Sequence, residues 1–100
     1  MTQDAQAGLA QLREQVDALD AELVGLLARR FAVTREIGRL KADACLPALD
    51  SAREQEQSDR VRMLAEQHGL AADMVVRVHE QIRAQVRAEH EAQAAAAKLG

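Results

Sequence analysis

From Leu9 to Leu40 the large apolar residues advance by alternating steps of three and four: Leu9, Leu12, Val16, Leu19, Leu23, Leu26, Val33, Ile37 and Leu40, with Arg30 in the remaining register position. Such a heptad seam specifies an α-helix lying along a second helical surface of comparable length. No proline interrupts it, so one helix is expected from about Gly8 to Ala44, on the order of 55 Å long. A chain of 100 residues holds one modest core, and the stretch beyond Ala44 is too short and too polar to cover that seam. A partner chain is the expected cover.

Composition sharpens the fold class. The hydrophobic share of 48% overstates the core material, because 21 of these residues are Ala and only 26 are Leu, Val, Ile, Met or Phe. With one Phe, no Trp, no Tyr and one Pro, the chain is poor in strand formers and rich in helix formers. An all-α single domain over 1–100 is expected. The net charge of −3 offers no general basic surface for nucleic acid or an anionic membrane. No apolar run approaches the roughly 20 residues that cross a bilayer. The single Cys45 excludes an internal disulfide, and the start of the chain lacks the pattern of a secretory leader. A cytoplasmic protein is expected.

Beyond the seam, Cys45-Leu46-Pro47 marks a turn, since proline disfavours helix in the residue before it. A second helix is expected over about 50–68, capped by Asp50 or Ser51, with Ser51 and Glu54 at capping-box spacing and Gly69 at its end. A third is expected over about 71–93, with Val75, His79, Ile82, Val86 and His90 in one stripe and a frayed, Ala-rich tail after it.

Several polar residues sit badly with an apolar seam. Arg30 occupies a core position, and Lys41, 11 residues on, points to nearly the same side of an ideal helix. A snorkelling Arg30 and a solvated Lys41 are the bland account. Two cations turned inward on one face suit an enclosed anion, because desolvated like charges need neutralising. Arg13 lies about 42 Å from Lys41 along the helix, yet an antiparallel second copy would bring it close and create two equivalent sites. Taken singly, Arg13 and Arg53 read as surface charges, Asp50 as a cap, Glu54 as part of a capping box and His90 as a hydrogen-bonded core residue. No metal-ligand spacing and no nucleophile–base pair is visible.

The ordered set Leu12-Arg13-Glu14, Leu19-Asp20, Leu26-Leu27-Ala28-Arg29-Arg30, Ile37-Gly38-Arg39-Leu40-Lys41, Pro47, Asp50 and Arg53-Glu54 resembles the all-helical class of chorismate mutases, over roughly residues 9 to 90. The resemblance implies an intertwined homodimer of three-helix protomers, one long and two shorter helices each, with each active site borrowing an arginine from the other chain. It makes Arg13 the borrowed arginine and Arg30 the in-chain one, both on substrate carboxylates. Lys41 would contact the ether oxygen and a carboxylate, Asp50 and Glu54 would lie by the substrate hydroxyl, and Arg53 would stand at the mouth. Two third-helix positions that are typically Ser and Gln in the family carry Val86 and His90 here. Gln donates to the ether oxygen in the family, and His90 would have to replace it.

The implied reaction converts chorismate to prephenate without cofactor, metal or covalent intermediate. Alternatives of the same fold are an isochorismate pyruvate lyase and an aminodeoxychorismate mutase; the acid near the hydroxyl favours the alcohol substrate. A non-catalytic helical dimer, acting as an interaction or regulatory module, is the alternative of a different class.

Overall fold

The computed structural model describes residues 2–100. They form three α-helices, α1 (Gln3–Asp43), α2 (Ser51–Gln67) and α3 (Ala72–Leu99), and no strand occurs among them. The all-α expectation and the count of three helices hold. Among the described residues no helix is long and apolar enough to cross a membrane.

The helix ends reflect local chemistry. α1 starts at Gln3 rather than near Gly8, because Thr2 Oγ1 accepts the Ala5 N–H at 3.1 Å and Asp4 lies in the positive first turn. It closes with a Schellman motif: Leu46 N–H donates to Lys41 O at 2.8 Å and Cys45 N–H to Ala42 O at 3.2 Å. Cys45 sits at the left-handed position with φ 55°, where glycine is the usual occupant. Pro47 comes after the stop and does not cause it.

α2 is capped by Asp50, whose Oδ1 accepts the Arg53 N–H at 3.0 Å. It ends in a second Schellman motif, with Gly69 at φ 69° and Leu70 N–H donating to Ala65 O at 2.8 Å. α3 continues to Leu99 instead of fraying near Gln93, because the run Ala94 to Ala97 has the highest helix propensity and Lys98 suits the negative C-terminus.

The chain divides into two compact units, residues 1–33 and 34–100. In the first, Leu12, Val16, Leu19, Leu23, Leu26 and Val33 are all more than half exposed, so the greater part of the seam is open. The second unit joins the last turns of α1 to α2 and α3 around a small interior of Gly38, Val61, Ala65, Arg83 and His90. Gly38 is needed there: a Cβ at that position would lie 2.6 Å from His90 Cδ2 and 2.8 Å from Gln93 Cδ. The approach is fixed by polar contacts as well. Gln93 Nε2 donates to Arg35 O at 2.9 Å, and Arg35 Nε donates to Glu89 Oε1 at 2.7 Å.

Candidate active site

A cavity of about 190 Å³ opens in the 34–100 unit between the end of α1, the start of α2 and the middle of α3. Lys41, Asp50, Arg53, Glu54, Val86 and His90, six of the residues singled out in the sequence, all line it. Three pieces of local structure bring them there. The α1 stop leaves Lys41 in the last helical turn. The Asp50 cap sets Arg53 and Glu54 in the first turn of α2. On α3, the three- and four-residue spacing puts Val86 and His90 on one face. Arg13 and Arg30 belong to the other unit, where Arg13 is exposed and Arg30 half-buried.

Thr34, Gln57, Arg83 and Arg87 also line the cavity and were not singled out in the sequence. The two arginines flank the expected α3 stripe, each one position beyond an apolar member of it, Ile82 and Val86. A charge directly beside such a stripe, repeated four residues on, was the available signal.

The wall carries four permanent cations, Lys41, Arg53, Arg83 and Arg87, against the two acids Asp50 and Glu54. Both acids are engaged within the protein. Glu54 forms an ion pair with Arg87, bridging α2 to α3. It therefore serves the helix interface, and no capping box with Ser51 forms. Asp50 caps α2. Arg53 pairs at 3.3 Å with Glu56, both well exposed, which contributes little. Among the described residues Lys41 is in no ion pair. The cavity is thus biased towards an anion.

His90 is 6% exposed and its Nε2 lies 2.7 Å from Thr34 O. A carbonyl only accepts, so Nε2 carries the proton in that bond. In the neutral ring Nδ1 is then an acceptor, and it donates only in the imidazolium. This narrows the donor role foreseen for His90 to its charged form. On the flank of α3, the Arg35 and Gln85 side chains donate to Glu89 and hold its carboxyl below the usual carboxylate range.

A larger cavity, about 490 Å³, is lined by alanines with Cys45, Leu46, Pro47 and one cation, Lys98. It has the greater volume but not the chemistry for a small dianion. No group of three or more potential metal ligands occurs among the described residues.

The family model for chorismate mutase type II matches residues 12–91. The chain is 25% identical over 72 residues to the chorismate mutase of Methanocaldococcus jannaschii, covering 72% of this chain and 73% of that protein. It is 35% identical over 74 residues to the bifunctional chorismate mutase/prephenate dehydratase of Escherichia coli K12, covering 74% of this chain and 19% of that protein. A shorter similarity, 51% over 47 residues, links it to the 3-dehydroquinate dehydratase of Pyrobaculum aerophilum, covering 47% of this chain and 16% of that protein. The chain therefore spans less than a fifth of two of these relatives and about three quarters of the third.

Proposed function

The chain belongs to the chorismate mutase type II family, and from that premise we propose that it catalyses the rearrangement of chorismate to prephenate, as a homodimer with shared active sites. The observation that carries the reading is the cavity itself, where Lys41 stands without an ion-pair partner among cations whose acids are already engaged.

The reaction breaks one C–O bond and forms one C–C bond within a single molecule, and moves no proton. Its catalyst has two tasks: to hold a flexible dicarboxylate in its compact, reacting shape, and to meet the negative charge that grows on the departing ether oxygen. Fixed cations do both. In this reading Arg30 and the Arg13 of a second copy hold the carboxylates, and Lys41 donates to the ether oxygen. A donor of that kind is worth about 3 kcal/mol in the barrier. Asp50 and Glu54 face the substrate hydroxyl, and Arg53 guards the entrance. Val86 contributes only apolar contact, which leaves the second donor to the ether oxygen to His90 as imidazolium. The reading sets this chemistry in the cytoplasm, where the exposed thiol of Cys45 stays reduced.

The second copy is supported by the open seam. A row of six large apolar residues on one helix, each more than half exposed, is the kind of surface that soluble chains cover by association. Helices bearing a/d rows pair with one another, and a twofold axis matches the seam to itself.

The direct test is incubation of purified protein with chorismate, isochorismate and 4-amino-4-deoxychorismate, tracking loss of the diene absorbance and identifying the product. Formation of prephenate from chorismate is expected. Turnover of only one of the other two substrates would replace the reading with the lyase or the amino-mutase, and turnover of none would leave a binding module.

A further inference from the structure

Arg83 is 9% exposed, a charged side chain in the interior of a small unit. Its Nη2 donates to Ser58 Oγ on α2 at 2.9 Å, while Nη1 is sealed from solvent and has no hydrogen-bond partner. Ser58 is neutral, and Arg83 is in no ion pair among the described residues. The two acids of the same cavity are not available to it: Glu54 is paired with Arg87, and Asp50 caps α2. A guanidinium withdrawn from water without a counter-charge is strongly unfavourable, and the arrangement makes sense only if an anion completes it. The cavity supplies the space, since Arg83 lines it together with Lys41.

We propose that Arg83 is a ligand of the bound dianion, its guanidinium at the cavity wall turning towards one of the carboxylate oxygens and donating to it. Ser58 holds the guanidinium in place, so that little rotamer freedom is lost when the anion arrives. The site then combines Lys41 at the end of α1 with Arg83 in the middle of α3 on one small dicarboxylate. This rests on the reading that the ligand is a dicarboxylate, and it adds a binding residue that the sequence pattern did not supply.

The test compares wild type, Arg83→Leu and Ser58→Ala by KM and kcat on chorismate, with melting curves for each. A charged hydrogen bond made equally in the ground and transition states appears in KM alone, so Arg83→Leu is expected to raise KM on the order of 10- to 100-fold with kcat within a few-fold of wild type. Ser58→Ala, which removes the anchor but keeps the cation, is expected to change KM by no more than a few-fold. An unchanged KM in Arg83→Leu, or equal effects of the two variants on KM, would make Arg83 a strut between α2 and α3 and overturn the inference. Should Arg83→Leu fail to fold, Arg83→Gln, which keeps a donor for Ser58 and removes the charge, is scored in its place. If wild type is inert towards chorismate, the proposed function fails, and the inference is judged by malonate. A malonate-induced rise in melting temperature that Arg83→Leu abolishes would sustain it, and no rise, or the same rise in both, would overturn it.

Discussion

Replacing Gly38 by alanine tests the packing that puts His90 at the cavity. The added Cβ would collide with Gln93 Oε1 and stand 2.6 Å from His90 Cδ2 and 2.8 Å from Gln93 Cδ, where carbon contacts settle near 3.5 to 4.0 Å, so the His90 ring must withdraw by about 1 Å and the Gln93 amide by more. Gln93 has rotamers to use, although leaving breaks its bond to Arg35 O. The His90 ring has less freedom, because it is buried and tied to Thr34 O at 2.7 Å. Overpacking of this kind costs about 1–3 kcal/mol, and a weakened hydrogen bond adds about 1 kcal/mol. Alanine returns about 1 kcal/mol of helix propensity. The expected net loss is about 1–3 kcal/mol, or a fall in melting temperature on the order of 5–15 °C for a domain of this size. Far-UV circular dichroism at one fixed protein concentration measures it, with Gly8→Ala as the control. Nothing lies within 4 Å of a Cβ at Gly8, so that variant is expected to match or exceed wild type. A Gly38→Ala protein as stable as Gly8→Ala would refute the close approach of α1 to α3.

Four further outcomes are expected. Arg13→Ala and Lys41→Ala are each expected to be folded and inactive; mixed in equal amounts with subunit exchange, they should recover about a quarter of wild-type activity, since half the dimers are hybrids with one intact site each. Assay of the mixture after verified exchange decides this, and no recovery counts against a shared site. His90→Leu, which removes the ring donor from the cavity, should lower kcat on the order of 100-fold, and His90→Gln, which keeps a donor, should lose less; an unchanged kcat in His90→Leu would remove His90 from the chemistry. The carboxyl of Glu89 titrates below its unfolded value, so its contribution to stability is present above the unfolded pKa and fades as pH falls through the folded one. Acid denaturation of Arg35→Gln should lack that component, and superimposable acid curves would show the Arg35–Glu89 bond to be idle. Cys45→Gly should raise stability by about 0.5–1 kcal/mol in a denaturant titration, because it relieves the left-handed strain at φ 55°; a loss would mean that the Cys45 side chain supports the turn more than its backbone strains it.

The parts of this protein that are legible in its sequence are those governed by period and punctuation. The heptad from Leu9 to Leu40 is one helix because a seam of that length has no other regular solution, and Asp50 and Gly69 begin and end α2 because caps act within a turn. Six of the eight site residues share a cavity for a related reason: Lys41, Asp50, Arg53 and Glu54 lie close to helix ends that local chemistry sets, and Val86 and His90 are aligned by their spacing on α3. Partnership across helices was not legible. Glu54 at capping-box spacing from Ser51 reads as local, yet its partner is Arg87, 33 residues away, and the choice depends on how α2 and α3 pack. The same holds for His90, whose tautomer is set by the carbonyl of Thr34, 56 residues away.

Arg83 shows why such pairings matter for function. In the sequence it is one of 11 arginines, marked only by its place beside the apolar stripe of α3. Its meaning arises only when α2 brings Ser58 to one of its nitrogens and the fold leaves the other sealed and unmet. A cation held this way is costly to the empty protein and favourable to the bound one. Binding and folding therefore pull against each other at this position. The ligand-free chain should gain stability when Arg83 is made leucine, by the same physics that makes the variant a poorer binder. Melting curves without ligand would show whether the trade-off exists, and a leucine variant markedly less stable than wild type would argue that the guanidinium is satisfied by the protein alone.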